Sequence, residues 1–117
     1  MEFYSTNPYN GEQVGKYTAQ TTEETKKVLD LSGEVFKDWS KTSLSSRTGL
    51  LKKAAQILRD NVEEYAQMIT QEMGKPISES RAEVNKCAWV CDYYAENAVE
   101  FLAPEEIKTD ATHSYVR

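Results

Sequence analysis

The chain has 117 residues, which allows one domain at most, and 39% of them are hydrophobic, a share typical of globular rather than disordered proteins. The formal net charge is −5, and no basic patch or stripe is present that could neutralise phosphates, so we expect no nucleic-acid partner. No apolar run approaches the roughly 20 residues that span a bilayer, and residues 1–5 lack the features of a signal peptide. We therefore expect no membrane partner and a cytoplasmic location, where the two cysteines stay reduced.

Residues 1–20 predict a short β-hairpin. Two segments rich in aromatic and β-branched residues, 3–6 and 13–18, flank a segment dense in turn-forming residues. Within that segment, Asn10-Gly11 is a dipeptide that tolerates positive φ at little cost.

Residues 21–103 predict four helices, each with its own start signal. A side chain at the N-cap accepts from the first-turn backbone, and a Glu three residues later reaches back to the N-cap amide. The predicted N-caps are, in chain order, Thr21 with Glu24, one of Ser43, Ser45 and Ser46, Asn61 with Glu64, and Ser78. Gly74 is the predicted left-handed C-cap of the third helix, and Pro104 closes the fourth.

Each predicted helix carries an apolar stripe at helical spacing. The stripe of the first helix comprises Val28, Leu31, Val35, Phe36 and Trp39. The second is Leu50, Leu51, Ala54, Ala55 and Leu58, and the third is Val62, Tyr65, Ala66, Ile69 and Met73. The fourth is Val84, Cys87, Ala88, Cys91, Tyr94, Ala95, Ala98 and Leu102. Trp89, Val90 and Tyr93 extend this last stripe around the helix, which indicates partners on more than one side.

Residues 104–117 predict an extended strand, which needs another segment or chain to pair with its edges. The predicted fold is therefore mainly α, with four helices, a short N-terminal β-hairpin and a C-terminal extended strand. We expect a single segment of this kind over residues 1–117.

The short motifs of the chain carry no complete chemistry. Gly74-Lys75-Pro76 lacks the glycine five residues upstream and the Ser or Thr of a phosphate-binding loop, and no GxGxxG is present. Cys87 and Cys91 fall in the middle of an apolar stripe, so we interpret them as small core residues rather than metal ligands or reactive thiols. His113 has no sequence-local triad partners.

The order of several features resembles the start of the NAD(P)-dependent aldehyde dehydrogenases, especially their bacterial succinate-semialdehyde dehydrogenase branch. These features are Asn7-Pro8-Tyr9-Asn10-Gly11-Glu12, Trp39, Arg47 with Leu50-Leu51, Glu72-Met73-Gly74-Lys75-Pro76, Glu83-Val84 and Tyr93-Tyr94-Ala95-Glu96. The resemblance runs from about residue 5 to the end of the chain, and its strength lies in order and spacing. It implies a segment of a larger α/β enzyme, whose nucleophilic cysteine, general-base glutamate and cofactor-binding lysine lie beyond Arg117.

The resemblance also implies two minor sites. The first is a monovalent-cation site formed by the Glu72 carboxylate and backbone carbonyls of Ser5 and Thr6, a hard-oxygen ligand set; the alternative is a surface pair between Glu72 and Lys75. The second is a border of the substrate entrance, formed by the residues Asn85, Lys86 and Trp89. Lys86 could attract an anionic aldehyde there, and the alternative is a solvated lysine.

Two hypotheses follow for function. In the first, the chain is the N-terminal structural segment of an aldehyde dehydrogenase that oxidises an aldehyde, with succinate semialdehyde as the candidate, to a carboxylate. Such a segment contains no catalytic residue and binds no cofactor alone, whereas the parent enzyme uses NAD or NADP. Its partners are the remainder of that chain and, in a homo-oligomer, further copies. In the second, the chain is a free-standing helical module that binds another protein through the face around Trp89 and Tyr93.

Overall fold

The fold of residues 1–116 is described by a computed structural model; Arg117, the end of the predicted terminal strand, lies outside the described residues. The chain begins with strands β1 (Glu2–Thr6) and β2 (Gln13–Thr18). The helices α1 (Thr22–Trp39), α2 (Leu44–Asp60), α3 (Val62–Met73) and α4 (Ile77–Phe101) follow, and then strands β3 (Glu105–Glu106) and β4 (Tyr115–Val116). The predicted mainly α fold class is confirmed. Within residues 1–116, no helix has the length and apolar character that a membrane crossing needs.

The predicted N-terminal hairpin is confirmed. Strands β1 and β2 pair antiparallel, and the connection is closed by hydrogen bonds from the Asn7 amide to the Glu12 carbonyl and from the Gly11 amide to the Asn7 carbonyl, both 2.8 Å long. Gly11 has φ +75°, the conformation that the Asn-Gly dipeptide predicted for this turn.

Three of the four predicted N-cap positions, Thr21, Ser43 and Asn61, are confirmed, the first two with the expected side-chain hydrogen bond. Thr21 and Glu24 form the complete capping box, and the Ser43 hydroxyl accepts from the Ser46 amide at 3.1 Å. The capping box predicted at Asn61 is wrong, because the Asn61 side chain donates instead to the Ile57 carbonyl at the end of α2. Ser78 is not an N-cap, since α4 begins at Ile77 with Pro76 at the cap.

The core lies where α2, α3 and α4 meet. Its fully buried positions are mostly alanines (Ala55, Ala66 and Ala88), which let the helices approach closely, and Val84 adds the only larger buried apolar side chain among residues 1–116. Ser80 is also fully buried, and its hydroxyl shares a hydrogen bond of 3.0 Å with the Thr70 hydroxyl. These contacts hold the C-terminal end of α3 beside the N-terminal half of α4, which is where the candidate site lies.

Helix α1 stands apart from this core, and none of its residues is buried. Its predicted apolar stripe therefore faces solvent in this chain, with Val28, Leu31, Val35, Phe36 and Trp39 all exposed. The radius of gyration is 20.6 Å, whereas a compact domain of this length has about 13 Å. The accessible surface is 9614 Å², against about 6,500 Å² for a folded monomer of this mass. The shape is that of a segment lacking packing partners.

The C-terminal tail differs in detail from the single strand that was predicted. Strand β3 pairs antiparallel with β4, with Glu105 opposite Val116 and Glu106 opposite Tyr115, so the chain turns back on itself after Pro104. Tyr115 and Val116 thereby pair one edge of their strand with β3. The prediction was an unpaired strand from residue 107 onward.

The two cysteines differ from each other in exposure. Cys91 is half-buried, whereas Cys87 is exposed, so the prediction that Cys87 is a core residue is wrong for this chain. Both thiols lie on α4, and the apolar stripe that includes them is only partly covered by α2 and α3. Both are free cysteines.

Candidate functional site

The structure brings together two residues of the predicted cation site that are 67 positions apart. The Ser5 hydroxyl on β1 donates a hydrogen bond of 2.9 Å to the Glu72 carboxylate on the last turn of α3. Ser5 is half-buried, while Thr6 and Glu72 are exposed. The hairpin is therefore docked on the C-terminal end of α3, and oxygen atoms of Ser5 and Glu72 converge there.

The β1–β2 ladder is irregular at the same place, and the extra residue lies on β2. The pairing register shifts between Ser5 and Thr6, because Ser5 lies opposite Gly15 and Thr6 lies opposite Gln13, which leaves Val14 as the extra residue. A bulge of this kind leaves the extra residue unpaired, bends the strand that contains it, here β2, and disrupts the ladder locally. The backbone carbonyls predicted as cation ligands belong to Ser5 and Thr6, which lie on β1 opposite this bulge.

Gly74 permits the close approach of the hairpin to α3. It has φ +69°, the left-handed conformation predicted for the C-cap, and its amide donates to the Thr70 carbonyl at 2.9 Å. A Cβ at this position would lie 2.9 Å from Cγ of Pro8 in the hairpin turn. Glycine is thus required here both by backbone conformation and by the packing of Pro8.

Lys75 binds Glu83 rather than Glu72. The Lys75 ammonium forms an ion pair with the Glu83 carboxylate across the α3–α4 turn, and this hydrogen bond raises the pKa of Lys75 above its ordinary value. The alternative interpretation, a surface pair between Glu72 and Lys75, is therefore wrong. Glu72 is left with the Ser5 hydroxyl as its hydrogen-bond partner among residues 1–116.

Of the residues of the predicted substrate entrance, only Lys86 lines a hollow on α4. Lys86 lines an open hollow of about 490 Å³ together with Lys75, Glu79, Ala82 and Glu83. Asn85 donates through its side-chain amide to the Arg81 carbonyl at 2.9 Å, which holds the amide against its own helix.

Trp89 is 58% exposed, and its ring stacks on Tyr93 with a centroid distance of 5.5 Å. It does not line the hollow beside Lys86. The three predicted entrance residues are thus exposed on one stretch of α4, and they do not converge on a single cavity.

Two ion pairs that the sequence interpretation missed fix the α3–α4 arrangement. Arg81 donates from Nε and Nη2 to the two carboxylate oxygens of Glu63, at 2.8 and 2.9 Å, and this contact lowers the pKa of Glu63. The Lys75–Glu83 pair is the second. The paired residues are 18 and 8 positions apart, so neither pair has the i,i+3 or i,i+4 spacing by which ion pairs are predicted from a sequence.

The donor atoms of the site residues set the chemistry that these residues can support. No group of three or more His, Cys, Asp or Glu side chains suited to a metal ion occurs among residues 1–116. A carboxylate together with a hydroxyl and backbone carbonyls can bind a small hard cation, and an exposed lysine can attract an anion.

Comparison with known proteins identifies relatives along the whole chain. The model of the aldehyde dehydrogenase family matches residues 1–117. A probable succinate-semialdehyde dehydrogenase (NADP(+)) of Synechocystis is 40% identical over 116 residues, which is 99% of this chain and 26% of that protein. The Escherichia coli protein Sad, a succinate semialdehyde dehydrogenase (NAD(P)+), is 42% identical over 101 residues, 86% of this chain and 22% of that protein.

A solved structure has the same fold over nearly the same residues. It is the succinic semialdehyde dehydrogenase of Streptococcus pyogenes in complex with NADP+, with a TM-score of 0.89 and 33% identity, over 97% of this chain and 25% of that one. The chain thus spans about a quarter of the length of the relatives that it matches. Helices α1 and α4 expose apolar side chains, as expected for a chain that spans only a quarter of its relatives' length. The chain is an N-terminal segment that belongs to the aldehyde dehydrogenase family.

Proposed function

We propose that this chain is the structural N-terminal segment of an NAD(P)-dependent aldehyde dehydrogenase that oxidises succinate semialdehyde to a carboxylate in the cytoplasm. The observation that carries the proposal is the identity of 40–42% with two succinate-semialdehyde dehydrogenases, of which this chain spans about a quarter. The nucleophile, the base and the NAD or NADP site then belong to the rest of the parent enzyme. The segment alone is inactive.

In this proposal residues 1–117 act as one segment whose hairpin (1–20), helical part (21–103) and tail (104–117) make different contacts. The exposed stripe of α1 and the uncovered side of α4 pack on the remainder of the chain. The surface exceeds that of a folded monomer by about 3,100 Å², starting from the 9614 Å² of this chain, and areas of this size are buried in permanent interfaces. The tail leads toward the elements that join subunits into a homo-oligomer.

A chimera tests the proposal directly. The stretch of the Synechocystis relative that aligns with this chain is replaced by residues 1–117, and NADP-dependent oxidation of succinate semialdehyde is measured beside a version lacking the stretch. We expect the chimera to be active and the deletion to be inactive. An expressed, folded chimera without activity would count against the proposal.

A matched pair of α1 variants tests which face of the segment carries the contact. Leu31→Lys places a charge on the apolar stripe, whereas Asp30→Lys places the same side chain on the opposite face of α1. We expect Leu31→Lys to abolish activity of the chimera, because it leaves a charge buried in an apolar contact. Asp30→Lys is expected to keep it, and equal losses would contradict the assigned face.

We propose that Ser5, Thr6 and Glu72 hold a monovalent cation in the parent enzyme. The Glu72 carboxylate 2.9 Å from the Ser5 hydroxyl, beside a strand irregularity, supports this. Glu72→Gln removes the charge and keeps the shape, so the chimera should lose its response to added K⁺ or Na⁺. Glu23→Gln, an exposed acid on α1, is the control that should keep it.

We propose that Asn85, Lys86 and Trp89 border the substrate entrance, with Lys86 attracting the anionic aldehyde. The hollow beside Lys86 contains two lysines and two glutamates, and the Lys75 ammonium is already paired with Glu83. Glu79 also lines this hollow and opposes an anion, so any attraction there comes from Lys86. Lys86→Gln should raise KM for succinate semialdehyde by several-fold and leave KM for an uncharged aldehyde unchanged. An equal effect on both aldehydes would contradict electrostatic attraction.

A second function, a free-standing module that binds another protein, has one observation in its favour. Trp89, Tyr93, Tyr94 and Phe101 form an aromatic cluster on α4, with ring centroids 5.5 to 6.3 Å apart, and all four side chains are exposed. Exposed aromatic clusters are typical of interaction surfaces. A monomer that unfolds cooperatively would favour this function over that of an enzyme segment.

A further inference from the structure

Asn10, in the turn between β1 and β2, has its side-chain carboxamide held at both ends by one residue. Its Oδ1 atom accepts a hydrogen bond of 3.0 Å from the Glu12 amide, and its Nδ2 atom donates one of 2.8 Å to the Glu12 carboxylate. A side chain that accepts from the backbone two residues ahead is folded forward, toward the peptide bond that follows it. Here that peptide bond joins Asn10 to Gly11, and the residues Asn10, Gly11 and Glu12 are all exposed.

The other asparagines of the chain lack this arrangement. Three of them donate through Nδ2 to the carbonyl four residues earlier, at 2.8 to 2.9 Å, and are folded backward along α2 or α4: Asn61, Asn85 and Asn97. The fourth, Asn7, precedes Pro8, whose nitrogen has no hydrogen to lose and cannot become a nucleophile. Among residues 1–116, a carboxamide folded forward and a following amide N–H occur together only at Asn10.

Gly11 leaves the Asn10 carboxamide open to attack. Apart from its two neighbours in the chain, nothing lies within 4 Å of the position that a Cβ of Gly11 would take. One contact opposes the attack, because the Gly11 amide donates to the Asn7 carbonyl at 2.8 Å. The Gly11 nitrogen therefore loses its proton only when this hydrogen bond opens.

We propose that Asn10 is a site of spontaneous deamidation and that Glu12 is the positioning residue that accelerates it. The Gly11 nitrogen loses its proton to hydroxide and forms a bond to Cγ of Asn10. The bond from Cγ to Nδ2 then breaks, and ammonia leaves with a proton from water, which regenerates the hydroxide. Water opens the resulting succinimide at either carbonyl, so that Asn10 becomes an aspartate or an isoaspartate.

Both contacts of Glu12 favour this reaction. Negative charge develops on Oδ1 as the nitrogen attacks, and the Glu12 amide already donates to that atom. The Glu12 carboxylate holds Nδ2, which fixes the orientation of the carboxamide before the attack. The inference does not depend on the proposed function, because it concerns the turn within residues 7–12.

The asparagines within the 117-residue chain supply the comparison that tests the site. The chain is kept at mildly alkaline pH, sampled from the start over several days, digested with trypsin and analysed by tandem mass spectrometry. Asn10 lies in the peptide 1–16, and the three helical asparagines lie in 60–81, 82–86 and 87–108. We expect Asn10 to lose its amide faster than each of them by a factor of about ten or more. A rate for Asn10 equal to that for Asn85, in a chain that keeps its helical content, would overturn the proposal.

Two variants test the positioning by Glu12. Glu12→Gln removes the charge and keeps an oxygen that can accept from Nδ2, whereas Glu12→Ala removes both. In the folded chain Asn10 should react more slowly in Glu12→Ala than in Glu12→Gln by a factor of about three or more, as expected for loss of one hydrogen bond. In concentrated urea the two variants should react at the same rate, because the turn no longer holds the carboxamide. Equal rates in the folded chain, or a difference that persists in urea, would contradict the role of Glu12.

Discussion

Replacement of Gly74 by alanine tests the junction between the hairpin and α3. Gly74 has φ +69°, and an added Cβ would lie 2.9 Å from Cγ of Pro8. The left-handed conformation costs an alanine about 1–2 kcal/mol, and relief of the contact requires the hairpin to move. We expect a total loss of about 2–3 kcal/mol in the free energy of unfolding, together with loss of the Ser5–Glu72 hydrogen bond.

Two other glycines of the chain separate the two contributions. Gly11 has φ +75° and open space around an added Cβ, so Gly11→Ala should cause conformational strain but no clash. Gly49→Ala lies inside α2 with nothing within 4 Å, so it should stabilise the chain by about 0.5–1 kcal/mol. Urea unfolding of the chimera, in which the segment has its packing partners, should rank the midpoints in the order Gly49→Ala, unsubstituted chimera, Gly11→Ala, Gly74→Ala when it is followed by circular dichroism. A midpoint for Gly74→Ala at or above that of Gly11→Ala would refute the assigned packing against Pro8.

Three further changes test the helices. Ser80→Val places a larger side chain at a fully buried position and removes the hydrogen bond to Thr70, so the urea midpoint should fall by an amount equivalent to about 1–3 kcal/mol, whereas a smaller loss is expected for Ser80→Ala. The hydrogen bond from Arg81 lowers the pKa of Glu63 from its ordinary value of 4.5. The stability that this pair contributes is therefore present above pH 4.5 and is lost as the pH falls below it. In this acid range the stability of Glu63→Gln should depend less steeply on pH. Thr21→Ala removes the N-cap of a helix with no buried residue, so hydrogen exchange should accelerate in the first turns of α1 and stay unchanged in α4; equal acceleration in both helices would contradict the isolation of α1.

Local chemistry predicted most of the secondary structure. The hairpin, the four helices, the Thr21–Glu24 capping box and the left-handed Gly74 depend on interactions between residues a few positions apart, and all are confirmed. Asn61 shows where such reasoning fails. Only this residue separates α2 from α3, so its side chain is equally close to the open carbonyls of α2 and binds one of them.

Burial could not be predicted from the stripes, because it depends on which elements are present to cover them. The stripe of α1 has the right spacing and yet faces solvent, and Cys87 is exposed in a stripe whose Val84 and Ala88 are buried. The same reason explains the tail, where pairing between Glu105–Glu106 and Tyr115–Val116 depends on a chain reversal that β-propensity does not encode.

The candidate site depended on the resemblance rather than on spacing. Nothing in the local sequence connects Ser5 with Glu72, and the structure places them 2.9 Å apart because Gly74 lets the hairpin approach α3. For Asn85, Lys86 and Trp89, a role at the substrate entrance remains a prediction, since that entrance needs the remainder of the enzyme.

The most direct test of the central claim is the behaviour of the purified 117-residue chain in solution. Sedimentation and thermal unfolding, with a dye that fluoresces on apolar surfaces, report whether the uncovered faces of α1 and α4 lack a partner. A segment of a larger aldehyde dehydrogenase should associate or bind the dye and unfold over a broad range. A monodisperse monomer with a sharp transition and no dye binding would contradict that account.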